Sequence, residues 1–143
     1  MGQDAVFSPF KLGGRVLKNR LGLAAMTRMS SPGDAVPRKD VLEFLVRRAQ
    51  GGAAIVFTEG IVTDYESAQG YPRQSRLLTQ RQIDAWKPVV RAMQEAGAVA
   101  VAQLFHCGHV AWPEVNPAGR IIAPSAVSPR QKNALTGKPY PVP

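Results

Sequence analysis

Three short runs of aliphatic residues alternate along the chain with two longer stretches whose apolar residues recur at helical spacing. The runs cover residues 21–25, 53–57 and 98–104 and have the length of strands. Unbroken aliphatic runs are typical of strands that are buried on both faces of a parallel sheet. We therefore predict three parallel strands, each followed by a polar loop.

The helical spacing covers residues 38–50 and 79–96. Its apolar positions are Val41, Leu42, Leu45, Val46 and Ala49 in the first stretch and Ile83, Trp86, Val90 and Met93 in the second. Thr79 and Gln82 have the spacing of a capping box, which marks the start of the second helix. Pro88 lies inside that helix, where it lacks a backbone donor and clashes with the preceding turn. We therefore predict a kink or a delayed start there.

Two further segments lie outside this alternation. Residues 10–17 form two short alternating arms around Gly13 and Gly14, and a Gly-Gly pair readily adopts the positive φ of a hairpin turn. We therefore predict a hairpin over residues 10–17. Residues 105–143 contain seven prolines after His109 and show little periodicity, so we predict a loop there.

Strands that alternate with helices predict an α/β fold whose parallel strands are joined by right-handed crossovers. A doubly wound sheet that binds a dinucleotide usually carries a glycine-rich turn after its first strand, whereas here that strand leads into Ala25-Met26-Thr27-Arg28. A (β/α)₈ barrel instead places ligand loops after every strand. We therefore predict the hairpin and three βα units of a TIM barrel. Since such a barrel needs about 250 residues, the predicted barrel is incomplete.

Composition and charge narrow the class of protein. The chain has 143 residues, of which 45% are hydrophobic and 20% charged, as in an ordinary soluble domain. Its single cysteine excludes an internal disulfide and fits a reducing compartment, and no apolar run suits a signal peptide or a membrane span. We therefore predict a cytoplasmic protein. The net charge is +8, but the lysines and arginines are scattered, which favours a solvated basic surface over a nucleic-acid interface.

Gln103 is the one polar residue in the run 98–104, and it lies near the end of the predicted strand. Ligands bind at the carboxyl ends of strands in α/β sheets, so Gln103 is a candidate ligand contact. The alternative is a buried amide that is hydrogen-bonded to the backbone.

His106, Cys107 and His109 lie close together after that strand. A zinc site needs four protein ligands, or three and a water molecule in a catalytic site. The chain contains no further histidine or cysteine. We therefore predict no metal site.

Seven short motifs occur in the order and spacing of a known family. They are Leu17-Lys18-Asn19-Arg20, Ala25-Met26-Thr27-Arg28, Arg48-Ala49, Thr58-Glu59-Gly60, Gly70-Tyr71, Gln103-Leu104-Phe105-His106 with Gly108, and Ala123-Pro124-Ser125-Ala126. From about Phe7 to Pro143 the chain resembles the Old Yellow Enzyme family of FMN-dependent NAD(P)H oxidoreductases. The resemblance implies that residues 1–143 are the amino-terminal segment of an FMN-binding TIM barrel.

The same resemblance implies which residues contact the flavin. Ala25 and Met26 correspond to the backbone that passes the isoalloxazine ring. Thr27 corresponds to the residue whose hydroxyl and amide face the O4 and N5 edge, where a donor stabilises the reduced ring. Gly60, which lacks a Cβ, permits a close backbone approach. Gln103 offers a donor and an acceptor to the pyrimidine edge.

Other residues are candidates for the pocket over the flavin. His106 corresponds to a family histidine in the loop after the third strand, and a surface histidine is the alternative. Met29 is a second candidate, together with Tyr65, Tyr71 and Trp112. Methionine and aromatic residues at such positions are as often packing residues.

The resemblance implies an ene-reductase in which hydride passes from NAD(P)H to flavin N5 and then to the β-carbon of a small electrophilic alkene. The family's histidine pair, its proton-donating tyrosine and its phosphate-binding residues belong to later strands, so no catalytic residue is assigned in this chain. The alternative is a truncated or split chain that is inactive alone and forms part of a barrel with a complementary polypeptide. Association into a homo-oligomer also stays open.

Overall fold

Three parallel strands and two long helices form the centre of the computed structural model, which describes residues 3–64, 66–134 and 136–143. In chain order the elements are α1 (Gln3–Phe7), β1 (Phe10–Leu12), β2 (Arg15–Leu17), β3 (Gly22–Leu23), α2 (Lys39–Gln50), β4 (Ile55–Val62), α3 (Gln80–Glu95) and β5 (Val99–Phe105). Within the described ranges, no helix has the length and apolar character needed to cross a membrane.

The sheet has the order β3-β4-β5, and both strand pairs are parallel. The main core lies on one face of this sheet, where α2 and α3 pack against it. Its buried members are Val41, Leu45, Ala49, Val56, Ile61, Trp86, Val89, Met93 and Ala98. The prediction of an α/β fold with parallel strands is therefore confirmed.

Strand β5 was predicted to be buried on both faces, but its last residues are partly or fully exposed. Ala102, Gln103 and Leu104 are exposed, and Leu104 exposes 65% of its surface. In the described part of the chain, β5 pairs with β4 on one side, and its other edge is open. The prediction was wrong for these residues because an aliphatic run indicates the environment of a central strand, whereas β5 is at the edge of this sheet.

Strand lengths also differ from the prediction. Strand β3 pairs over two residues, where five were predicted, and β4 extends past residue 57 to Val62. A register shift between Phe57 and Gly60 puts two β4 residues opposite one β5 residue, which is a β-bulge. After the bulge, pairing resumes and continues to Val62 and Phe105, so the strand continues through residues that were predicted as a loop.

Helix α3 begins at Gln80, directly after its cap, and includes Pro88 without interruption. The prediction of a delayed start was therefore wrong. The Thr79 hydroxyl accepts from the Gln82 backbone amide, and the Gln82 side chain accepts from the Thr79 amide. This capping box determines the start of the helix. Pro88 is exposed, so the carbonyl that loses its partner can be hydrated.

The outer segments are the hairpin and the residues after β5. Strands β1 and β2 pair from Phe10 with Leu17 to Leu12 with Arg15, and Gly13 has a φ of 56°. After β5 the chain is mostly irregular, with 3₁₀ turns at Gly108–Val110 and Pro113–Val115. A second small core forms within it from Ala111, Trp112, Ile121 and Tyr140. This loop is therefore packed.

Candidate functional site

The carboxyl ends of β3, β4 and β5 lie at the same edge of the sheet because the three strands are parallel. The segment after β3 contains Ala25, Met26 and Thr27, the end of β4 contains Gly60, and the end of β5 contains Gln103. All the residues expected to contact a cofactor are therefore at this edge, in agreement with the general position of ligands in α/β folds.

Gly60 and Gln103 are opposite each other in the register of β4 and β5. A Cβ atom on Gly60 would lie 3.4 Å from Gln103 Oε1 and only 3.0 Å from the Cγ atom of Phe105. The absence of a side chain at Gly60 therefore leaves room for the Phe105 ring and the Gln103 amide. Its role toward a flat cofactor stays a prediction.

The side chain of Gln103 is exposed and forms no hydrogen bond with another described residue. Its backbone amide donates to Thr58 Oγ1 at 3.2 Å. The alternative of a buried amide tied to the backbone is therefore wrong. A side-chain amide that is free at a strand end can offer one donor face and one acceptor face to a ligand.

The segment Ala25–Thr27 also presents free polar groups. Its three backbone amides and the Thr27 hydroxyl donate no hydrogen bond to any residue that the structure describes. Ala25 and Thr27 are half-buried, and Met26 is 48% exposed. Backbone amides need a partner when they lose water, so this segment can donate to a bound group. Together with Gln103, these donors fit the polar edge of a flavin ring.

The residues of the β4 bulge, Thr58 and Glu59, join this segment to the rest of the site. Thr58 accepts from Gln103 N, and Glu59 Oε2 accepts from Arg28 N at 2.9 Å. Both side chains are buried, with Glu59 4% exposed. One bulge residue therefore holds the segment after β3, and the other holds β5.

Glu59 also belongs to a buried hydrogen-bond network. Its Oε1 accepts from the Ser75 hydroxyl, which lies 2.7 Å from the Ser31 hydroxyl. Arg73 donates to the carbonyls of Ser30 and Ser31 at 3.3 and 3.2 Å. Glu59 belongs to a motif of the sequence but was not predicted to have a role. The feature that could have indicated a role for Glu59 is that it is the one acidic residue in the otherwise mostly apolar segment that forms β4.

The pocket candidates are more scattered. Met29 is 45% exposed and has a φ of 51°, which is uncommon for a residue other than glycine. Tyr71 and Trp112 are in contact, with ring centroids 5.6 Å apart at an angle of 53°. The Trp112 indole donates to the Tyr140 hydroxyl at 2.9 Å, which indicates a packing role. Tyr65 lies outside the described residues.

His106 lies on the exposed loop after β5, where its Nδ1 accepts from Gly108 N at 2.9 Å. It is near Asp64, whose pKa is lowered mainly by the hydrogen bond from the Ser67 hydroxyl. The His106 charge lowers the Asp64 pKa further. These contacts are compatible with either a pocket residue or a surface histidine, so the assignment of His106 stays a prediction.

An open cleft of about 400 Å³ begins beside Phe105 and continues along the loop after β5. Its walls include Gly70, Tyr71, Phe105, Cys107, His109 and Trp112. Burial raises the pKa of the Cys107 thiol to about 11, so the thiol is neutral at pH 7. In the described part of the chain, no three histidine, cysteine or acidic side chains are grouped as metal ligands.

Comparison with known proteins identifies the family. The model of the NADH:flavin oxidoreductase / NADH oxidase family matches residues 5–140. The chain belongs to this family. The resemblance to the Old Yellow Enzymes, which are FMN proteins that use NAD(P)H, is therefore confirmed.

Named relatives and solved structures agree with this membership. A putative 12-oxophytodienoate reductase 4 of Oryza sativa subsp. japonica is 38% identical over 126 residues, which are 88% of this chain and 32% of that protein. The Old Yellow Enzyme homologue from Zymomonas mobilis has a TM-score of 0.83 at 28% identity and covers 97% of this chain. Morphinone reductase in complex with tetrahydroNAD has a TM-score of 0.78 at 31% identity and covers 88%.

The chain spans about a third of the length of the curated relatives that it matches. It likewise covers 38% of the Zymomonas mobilis structure and 34% of the morphinone reductase structure. The open edge of β5 agrees with this coverage, because a family barrel has further strands.

Proposed function

We propose that this chain is the amino-terminal part of an FMN-dependent NAD(P)H oxidoreductase of the ene-reductase type, which reduces small activated alkenes. The observation that carries the proposal is the group of free donors at one sheet edge, formed by the amides of Ala25–Thr27, the Thr27 hydroxyl and the Gln103 amide. The family match over residues 5–140 supports the identity of the cofactor.

These residues would hold the flavin ring by its polar edges. The Gln103 amide would bind the pyrimidine edge, because it offers a donor and an acceptor side by side. The Thr27 hydroxyl would donate at the O4 and N5 edge, where a donor stabilises negative charge. When bound, FMN supplies a centre that takes a hydride from NAD(P)H and gives it to the substrate.

The substrate would enter from the cleft beside Phe105. This cleft adjoins Gly60, because the Phe105 ring lies against the space above it. The cleft is partly aromatic, which suits a small apolar molecule with an electron-withdrawing group. Met29 and His106 remain candidates for the pocket over the flavin. The single cysteine fits a reducing compartment, so we place the protein in the cytoplasm.

The test is to complete the barrel. Residues 1–143 are joined at Pro143 to the carboxyl-terminal remainder of the Zymomonas mobilis homologue, and this protein is called the completed barrel below. It is expected to purify with FMN and to oxidise NADPH in the presence of an α,β-unsaturated ketone under anaerobic conditions. The remainder without residues 1–143 is the control. A folded completed barrel that binds no FMN would overturn the proposed function.

A second candidate function is a split barrel, in which this chain pairs with a complementary polypeptide. The observation that favours it is the open edge of β5, with Leu104 65% exposed next to it. An unpaired strand edge readily accepts another strand. Co-expression with the same carboxyl-terminal remainder as a separate chain tests it. Co-purification of both chains with FMN would support it, and separate elution would exclude it.

A further inference from the structure

Glu59 is a buried carboxyl group that has no part in the flavin contacts proposed above. It is 4% exposed, Oε2 accepts from Arg28 N, and Oε1 accepts from the Ser75 hydroxyl. Burying a carboxyl group costs free energy unless each oxygen has a donor, and here both do. Its surroundings therefore keep Glu59 in a single arrangement.

The bond to Arg28 acts directly on the residue before it. The nitrogen of Arg28 and the carbonyl of Thr27 belong to one peptide group, which is planar and rigid. Holding Arg28 N at 2.9 Å from a buried oxygen therefore fixes the plane that follows Thr27. The amides of Ala25–Thr27 donate no hydrogen bond to the described residues, so among residues 25–28 the Arg28 amide is the one with a described acceptor.

Thr58, the residue before Glu59, holds the segment on the opposite side of β4. Thr58 accepts from Gln103 N at 3.2 Å, so the two bulge residues hold the two segments that carry Thr27 and Gln103. Because a bulge inserts one extra residue, consecutive side chains can reach opposite neighbours of the strand. The spacing between the two flavin contacts is therefore set within β4.

We propose that Glu59 is a positioning residue that holds the Thr27 hydroxyl at the flavin edge through the Arg28 amide. This inference rests on the proposed function. It assigns the effect to the acceptor oxygen of Glu59 and not to its charge. A negative charge acting directly would oppose electron uptake, whereas correct placement of Thr27 favours it.

Two substitutions in the completed barrel separate acceptor from charge. Glu59→Met keeps the volume of the side chain and removes both oxygens. Glu59→Gln removes the charge but keeps an amide oxygen for Arg28 N and an amide group that can donate to Ser75 Oγ. The readouts are the reduction potential of the bound flavin and the hydrogen-exchange rate of the Arg28 amide. Glu66→Gln is the control, because among the described residues its exposed side chain pairs with Arg120 alone, at 3.7 Å.

We expect Glu59→Met to lower the potential by at least half of the shift that Thr27→Ala produces. We also expect its Arg28 amide to exchange at least tenfold faster. Glu59→Gln is expected to match the wild type in both readouts. Adding Glu59→Met to Thr27→Ala should give no further shift, because both act through the same hydroxyl.

The remaining outcomes separate a failure of the proposed function from a failure of the role given to Glu59. A wild-type completed barrel without FMN overturns the proposed function. With FMN bound, an unchanged potential in Glu59→Met overturns the role of Glu59, and a rise in both variants shows that its charge acts directly. If Glu59→Met does not fold, Ser75→Ala tests the role of Glu59 instead, because it removes the hydroxyl that donates to Glu59 Oε1. It should lower the potential by a smaller amount in the same direction, and wild-type values in both readouts would refute the proposal.

Discussion

The side chain of Cys107 occupies the space that a side chain on Gly70 would need. A Cβ atom at Gly70 would overlap the Cys107 sulfur and lie 3.0 Å from its Cβ atom. Both residues line the cleft beside Phe105, and Cys107 N donates to Ala68 O at 3.0 Å. The loop before α3 and the loop after β5 are therefore packed directly against each other at this point.

This contact predicts that Gly70→Ala destabilises the completed barrel by about 1–3 kcal/mol, as overpacking does in protein cores. The measurement is the denaturant midpoint of unfolding. Gly14→Ala is the control, because no described residue other than its two chain neighbours comes within 4 Å of the added Cβ. Adding Cys107→Ala to Gly70→Ala should recover part of the loss. Equal midpoints for Gly70→Ala and Gly14→Ala would contradict the contact.

The pKa of about 11 for Cys107 predicts its reactivity toward electrophiles. Since the thiolate is the nucleophile, alkylation by iodoacetamide should accelerate about tenfold for each pH unit up to about pH 11. A free thiol would instead reach its plateau near pH 9. The raised pKa also means that the unfolded thiol ionises first, so stability should fall between pH 9 and 11. A rate that levels off below pH 10 would show that the thiol is not buried.

The free amide of Gln103 predicts that Gln103→Ala weakens FMN binding to the completed barrel. The expected loss is about 1–3 kcal/mol, the free energy of a hydrogen-bond partner removed from a buried group. Fluorescence titration with FMN measures it. Gln80→Ala is the control, because its exposed side chain donates to Asp84 at 2.9 Å and bonds to no other residue that the structure describes. Identical affinity in both variants would remove Gln103 from the flavin site.

Thr27→Ala is predicted to lower the reduction potential of the bound flavin, since the hydroxyl would stabilise the reduced ring. Equilibration with redox dyes of known potential measures the shift. Ser30→Ala, on the same loop, is the control. An unchanged potential in Thr27→Ala would assign the effect to other groups, and the role given to its hydroxyl would then be wrong.

The 143 residues expressed alone are predicted neither to hold FMN after desalting nor to oxidise NADPH. The open edge of β5 and the exposed Leu104 should promote self-association, as unpaired strand edges do. Size-exclusion chromatography and flavin absorbance measure both properties. Leu104→Lys should reduce the association. A yellow monomer with turnover would contradict the prediction and assign catalysis to groups within this chain.

The order of strands and helices could be predicted from the sequence because it depends on local periodicity. The helix predicted over 38–50 lies at Lys39–Gln50, and the capping residues Thr79 and Gln82 place the start of α3 correctly. Pro88 misled the prediction because its cost depends on whether the residue faces solvent, which periodicity alone does not reveal. Burial of Gln103 was misjudged because the position of β5 in the sheet is not encoded in its own residues.

The sequence by itself determined the fold class, the family and the set of residues at the strand ends, because motifs and periodicity are properties of neighbouring residues. Only the tertiary structure decided that the Gln103 amide is free and that Phe105 occupies the space beside Gly60. It also decided that Glu59 anchors Arg28. These contacts join residues that are 31 to 45 positions apart in the sequence, and a bulge that shifts the register by one residue determines which of them meet.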